Sequence, residues 1–294
     1  MIGELAGLGG SAAWAVVSTV MRSMANRINP ITVNGLNSTF GALTVAVLLV
    51  LLGHVGLLLA TPLRSVALIV ASGMIGQGVG NALFVTSMKM IGASRAMPIS
   101  SVQPLMTTVL AAAILGERVT LLQVAGTFLV LTSIYLLAFP YGPLGQISTL
   151  LSGADRRGLL LAVATAACWA TATVLLREAI VGVDLLSANF MRMTVAATML
   201  LSFQAVTSKQ RALQGADRRS LLTLALTGAL GAVSSLGYLT AVSLAGAAKA
   251  SVLTSTSPMF GLPLSVLVLR EKVNRRIAIG SLICVFGVWL VLLG

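Results

Sequence analysis

The sequence predicts an all-α integral membrane fold, with ten transmembrane helices as two inverted five-helix repeats. Three observations carry this. The 294 residues are 57% hydrophobic and 9% charged, with a mean hydropathy of +1.01. Apolar runs of spanning length recur ten times along the chain. The second half repeats uncommon residues of the first at a near-constant offset.

The composition sets the solvent. A water-soluble domain carries roughly 25% Asp, Glu, Lys and Arg. This chain carries about a third of that, so most of its surface faces lipid. Its net charge of +12 comes from 19 Lys and Arg against 7 Asp and Glu. The cations fall singly or in short clusters between apolar runs, with no basic-aromatic platform. They are loop charges flanking spans, and no nucleic-acid partner is expected. Cys168 and Cys284 both lie inside apolar runs, which fits buried thiols and no metal site or cofactor. The first apolar run starts almost at Met1 without a charged leader region, so it is expected to be a retained helix.

A spanning helix needs about 20 mostly apolar residues. The runs that qualify are 2–21, 32–53, 66–88, 96–115, 121–139, 158–176, 185–206, 220–242, 250–269 and 276–293. The breaks carry turn residues and charges, such as Asn29-Pro30, Gly116-Glu117-Arg118 and Asp155-Arg156-Arg157. The longest break holds Pro140, Gly142, Pro143 and Gly145 at mid-chain. The expected organisation is therefore a first unit over 1–139, a linker over 140–157 and a second unit over 158–294. No polar stretch is long enough for a soluble catalytic domain, and no enzyme activity is expected.

The repeat is read directly. ASRAMPISSVQPLMTTVLAAAILGERV from Ala93 aligns without a gap to AAKASVLTSTSPMFGLPLSVLVLREKV from Ala247, at an offset of 154. Arg95 falls on Lys249, Pro104 on Pro258, Glu117 on Glu271 and Gly126 on Gly280. At an offset of 155, Trp14 falls on Trp169, Ser18 on Thr173, Arg22 on Arg177 and Asn34 on Asn189. Five helices per unit is an odd number, so the second copy enters the membrane from the opposite side. Inverted repeats of this kind build a central site with two quasi-equivalent gates.

The stretches GASRAMPISSVQPLMTTVLAAAILGERVTLLQVAG and GAAKASVLTSTSPMFGLPLSVLVLREKVNRRIAIG resemble the paired signature of the EamA family, within the drug/metabolite transporter superfamily. The resemblance covers nearly the full chain. It implies a carrier of small organic solutes, often an exporter, with a cavity lined by helices one, three, four, six, eight and nine. Two departures stand out. Arg270-Glu271 replaces the family's Gly-Glu, and the Arg that the family often has in the second helix of each unit is Arg192 in one half but Asn37 in the other.

Candidate site residues follow from position and chemistry. Pro104 and Pro258 sit about 20 Å before the glutamate that ends each helix, as hinges or packing kinks. Glu117 and Glu271 close helices four and nine, as gates or as helix-end turns, the turn being preferred. Arg95 and Lys249 fall at opposite faces under inversion, which suits snorkelling residues better than a shared clamp. Arg192 lies well inside span seven, where a charge costs about 2.5 kcal/mol or more unless paired or hydrated. It is either a structural or a cavity arginine, and Glu178 and Asp184 lie too near the start of the span to pair with it. Neutral cavity candidates share helical faces: Trp14 beside Ser11 and Ser18, Trp169 beside Thr173, then Gln77, Asn81, Gln103, Ser234, Tyr238 and Thr254. Ser and Thr there serve equally as packing residues. Loops after odd-numbered spans hold 14 Lys and Arg against four after even-numbered ones. The positive-inside rule then puts both termini outside, whereas the resemblance implies cytoplasmic termini.

The expectation is a secondary transporter of an amino acid-like or other neutral or zwitterionic solute, an exporter or exchanger working by alternating access. It would sit in the inner (plasma) membrane of a bacterium, with lipid and a small-molecule substrate as partners, as a monomer or homodimer. The alternative is a non-transporting membrane subunit or lipid-carrier partner, which would lack a polar cavity.

Overall fold

The computed structural model describes residues 1–24, 28–91, 96, 99–138, 153–207, 217–257, 259–260 and 275–294. The regular structure among these residues is all helical, with no strand among them. The elements are α1 (Ile2–Met24), α2 (Pro30–Leu51), the short α3 (Val55–Leu59), α4 (Leu63–Ser72), a π-helical segment (Gly73–Gly80), α5 (Asn81–Ile91), α6 (Gln103–Leu115), α7 (Leu121–Ala138), α8 (Gly153–Ala179), α9 (Leu185–Thr207), α10 (Arg218–Thr254) and α11 (Arg275–Leu293). Five stretches are long and apolar enough to cross a membrane: Ile31–Leu51, Leu63–Phe84, Arg156–Ala179, Leu185–Thr207 and Arg218–Thr254. The other expected spans are represented by shorter or broken helices, by the Gly- and Ala-rich α1, or lie partly outside the described residues. Of the expected site residues, Arg95, Pro258 and Glu271 lie outside them.

Local chemistry sets the helix ends. Asn29 caps α2 by accepting the Ile31 N–H at 2.9 Å, with Pro30 in the first turn where no N–H is needed. Asp217 caps α10 by accepting the Ser220 N–H at 2.8 Å. Gly116 ends α6 at φ +66°, a conformation glycine adopts without penalty. The expected boundary between spans eight and nine shrinks to Gly246 alone, at φ 87° and ψ 165° inside α10. Span four is interrupted: Ile99 and Ser100 are helical, Ser101 and Val102 form a turn, and Pro104 falls in the first turn of α6. It therefore removes no hydrogen bond from a helix interior, because the first N–H groups of a helix have no partner anyway. Ser255 and Thr256 form a turn 154 positions later, so the two repeated spans break at the same place.

Helices meet through small residues, as expected where lipid supplies no hydrophobic drive between them. Gly3 lies against Leu244, Gly7 against Ala241 and Gly10 against Gly237, so α1 runs antiparallel to α10. Gly80 lies against Trp169, and Ser87 donates to the Gly158 carbonyl at 2.8 Å, so α5 runs antiparallel to α8. Gly35 against Leu201 and Gly41 against Met193 pair α2 with α9. Gly126 against Gly287, with Gly294 against Thr120, pairs α7 with α11. Exchanging the two halves maps this set of pairs onto itself: the first run on the eighth becomes the sixth on the third, while second-on-seventh and fifth-on-tenth map to themselves. The outward faces are apolar. Leu222, Leu226 and Val233 on α10 are each at least 60% exposed and share one side of the helix, the pattern of a lipid-facing stripe.

Candidate functional site

The most polar part of the interior forms where α8, α9, α10 and the π segment meet. The π segment reads GMIGQGVG, and its four glycines are all buried. Without Cβ atoms it packs tightly: Gly73 against Val195 and the Arg192 backbone, Gly76 against Ala172, and Gly80 against Trp169. A π turn inside an α-helix marks an insertion of this sort, frequently at a functional position.

Trp169 reads the loosened turn. Its indole Nε1–H donates to the Gly76 carbonyl at 3.1 Å and to Asn81 Oδ1 at 3.2 Å. Its ring meets Phe84 at 5.2 Å between centroids, tilted 55°, a favourable aromatic contact. One turn along α8, the Thr173 hydroxyl is 2.7 Å from the Tyr238 hydroxyl. The Tyr238 ring in turn carries the Arg192 guanidinium at 5.4 Å from its centroid. Asn81, Trp169, Thr173, Tyr238 and Arg192 thus form one connected run of side chains drawn from both halves of the chain.

Arg192 is the exceptional member. It is 5% exposed, and its Nε and Nη1 have no hydrogen-bond partner. Among the described residues no ion pair includes it. The carboxylates nearest in sequence are engaged elsewhere: Asp184 with His54 Nδ1 at 3.1 Å and the Ser187 N–H at 2.9 Å, Glu178 with Arg64 at 2.8 Å. Among the described residues Gln77 Oε1 in the π segment and Asn189 Oδ1 on α9 are also buried without partners, the latter one turn from Arg192. Orphan donors and an orphan acceptor thus lie one turn apart on α9. The repeat-related position is quiet by comparison. Asn37, 155 positions earlier, donates to Thr227 Oγ1 at 3.2 Å and packs on Gly228 and Gly231 of a regular helix. Among the described residues the π turn occurs only on the helix run that packs on the arginine-bearing α9.

The remaining sequence-predicted residues lie outside this run. Trp14 is 43% exposed on α1, unlike its repeat partner Trp169. Ser234 donates to the Gly10 carbonyl at 2.8 Å, a packing bond between α1 and α10. The Gln103 carbonyl accepts the Thr107 hydroxyl at 3.0 Å. The Thr254 carbonyl, freed by the break after it, accepts the Ser11 hydroxyl at 3.0 Å. Glu117 does more than close a turn. Its carboxylate accepts the N–H groups of Ala247 at 2.8 Å and Ala248 at 3.1 Å, with Arg177 Nε 3.7 Å away. Sequence reading missed these partners. The signal available was Gly246, which falls just where a helix after span eight would start.

The sequence matches the EamA-like transporter family over residues 1–139 and 156–293. A curated relative from Archaeoglobus fulgidus, described as an uncharacterized transporter, is 25% identical over 231 residues, covering 79% of this chain and 77% of that one. A protein of known crystal structure is similar in fold, with a TM-score of 0.82 at 18% identity, over 99% of this chain and 96% of the other. With both halves matched, a helical bundle of this fold and five membrane-length apolar stretches, the chain belongs to the EamA-like transporter family.

Proposed function

We propose that the chain is a secondary transporter of a small organic metabolite, amino acid-like or otherwise neutral or zwitterionic, acting as an exporter or exchanger. Ten helices cross the inner membrane as two inverted units, 1–139 and 158–294, in a monomer or homodimer. The units rock against each other about the polar cluster, exposing it alternately to the two sides.

The observation that carries this reading is the exchange symmetry of the helix pairs around that cluster. Two packed copies related by an in-plane axis have two equivalent ways to open, which is the requirement for alternating access. Loop contacts agree in parity. His54 with Asp184, Arg64 with Glu178, and Glu117 with Ala247 each join loops four runs apart, and four crossings return the chain to the same face, as the ten-span reading requires. Buried polar groups at such a depth are expensive and are retained for a solute pathway.

Reconstitution tests it. Purified protein in liposomes is expected to exchange radiolabelled solute from a panel of amino acids, nucleosides and sugar derivatives, above protein-free vesicles. No exchange of any panel member, from protein that is folded and inserted, overturns the reading.

A further inference from the structure

We infer that Arg192 is the docking group for a carboxylate, so that the solute this site takes is a small carboxylate-bearing molecule and not an uncharged one.

Arg192 leaves a charge unbalanced. It is 95% buried, and among the described residues two of its guanidinium nitrogens have no partner. Arginine stays protonated in proteins, and a buried cation without a counter-charge costs several kcal/mol. Structural arginines meet that cost with a carboxylate or a set of carbonyls. Here the two carboxylates nearest in sequence are committed to other partners, and the Tyr238 ring face supplies only a weak attraction. The local backbone is shaped around the residue: a π turn with four buried glycines faces α9 in this half, and a regular helix with an asparagine occupies the related place in the other. A buried arginine whose Nε and Nη1 lack partners among the described residues is a group that an anion would satisfy.

The identity of the anion follows from the count and geometry. The cluster has one cation, and one monoanion balances it; a phosphate dianion would be left with excess charge. A guanidinium presents parallel N–H groups that match the two oxygens of a carboxylate. The unpartnered oxygen of Asn189, one turn from Arg192 on α9, accepts hydrogen bonds, which suits an ammonium or hydroxyl on the same solute. Phe84, Trp169 and Tyr238 supply apolar area for its body.

This inference rests on the transporter reading only for what happens after binding, so binding and transport are measured separately. Full-length protein in detergent is heated with L-leucine, L-phenylalanine, lactate or 4-methylpentanoate, and with the matching amides. At least one carboxylate is expected to raise Tm while its amide does not. R192Q is expected to fold with an unchanged or higher Tm, because it removes an unpaired buried charge, and to lose the carboxylate response. R192K keeps the charge without the planar fork and is expected to bind at least tenfold more weakly, roughly the loss of a bidentate charge-assisted pair. A structural arginine behaves oppositely: R192Q then lowers Tm and the carboxylates have no effect. That outcome, or equal stabilisation by acid and amide, overturns the inference. Exchange in liposomes separates the two claims. Binding without exchange leaves the carboxylate site standing and removes the transporter; exchange confined to uncharged solutes does the reverse.

Discussion

Glu117 accepts the backbone N–H of Ala247 at 2.8 Å, so a side chain just past the end of α6 caps the helical stretch that follows Gly246 in α10. The second carboxylate oxygen takes the Ala248 N–H at 3.1 Å, and Gly246 makes room for both. An anion at a helix N-terminus satisfies two orphan donors and meets the positive end of the helix dipole. Replacing Glu117 by Ala is expected to lower stability by about 1–2 kcal/mol, the usual worth of a cap. R177A removes the long, partly exposed contact with Glu117 and also the hydrogen bond that Arg177 Nη1 donates to the Ser243 carbonyl, so its cost, about 1–2 kcal/mol, has a separate source. Thermal unfolding of the purified variants checks both: the E117A loss is expected to persist in an R177A background, and its disappearance there contradicts the capping account.

Gly246 should be coupled to Glu117. Its φ of 87° and ψ of 165° lie where only glycine is comfortable, and a Cβ there would sit 2.9 Å from Glu117 Oε1. Gly246→Ala is expected to cost about 1–3 kcal/mol in backbone strain. In the double variant with E117A part of that cost disappears, because the clash has gone. A double-mutant cycle measures the coupling, and strict additivity argues that the two positions are independent.

The two tryptophans related by the repeat are expected to differ. Trp169→Phe removes the N–H that satisfies Gly76 and Asn81 within the π turn, leaving buried acceptors unpaired at a cost of about 1–3 kcal/mol. Trp14→Phe, at a position 43% exposed, is expected to stay within about 0.5 kcal/mol. Equal Tm shifts for the two variants contradict this assignment.

What the sequence made legible was whatever the duplication doubled. Trp14 with Trp169, Glu117 with Glu271, and the small-residue faces were recognisable because two copies rarely keep uncommon residues in register by accident. Arg192 also stood out, since a charge deep in an apolar run is conspicuous. What escaped was the asymmetry. A π turn depends on how Gly73, Gly76, Gly78 and Gly80 pack against Val195, Ala172, Met199 and Trp169, and that is tertiary context. The partner of Glu117 was hidden for the same reason, 130 residues away and made of backbone. Pro104 misled in the other direction: a proline inside an apolar run reads as a mid-helix kink, but a turn at Ser101 and Val102 puts it at a helix start.

Gly126 and Gly287 press the fifth run of each half together. A Cβ at Gly126 would lie 2.5 Å from the Gly287 carbonyl, and one at Gly287 would lie 2.9 Å from the Gly126 carbonyl. Backbone cannot yield as a flexible side chain does, so the helices must separate. Each single change to Ala is expected to cost about 1–3 kcal/mol, the range for overpacking, and Gly126→Leu more. Size-exclusion profiles and Tm of the variants check this. A Gly126→Leu protein as stable as the parent contradicts the close approach.

Membrane sidedness follows from joining the contacts to the charges. The hydrogen bond of His54 with Asp184 and the ion pairs of Arg64 with Glu178 and Arg177 with Glu117 all lie among loops after even-numbered runs. That face holds four of the Lys and Arg residues against 14 in the loops opposite. The positive-inside rule therefore turns it outward. In a background lacking Cys168 and Cys284, single cysteines at Leu59 and Val181, both well exposed, are expected to react with an impermeant maleimide on intact cells. A cysteine at Val206, at the far end of α9, is expected to react only after permeabilisation. Labelling of Leu59 and Val181 from opposite sides would break the ten-crossing parity. Labelling of both from the inside would keep the parity and reverse the orientation, placing the termini in the cytoplasm.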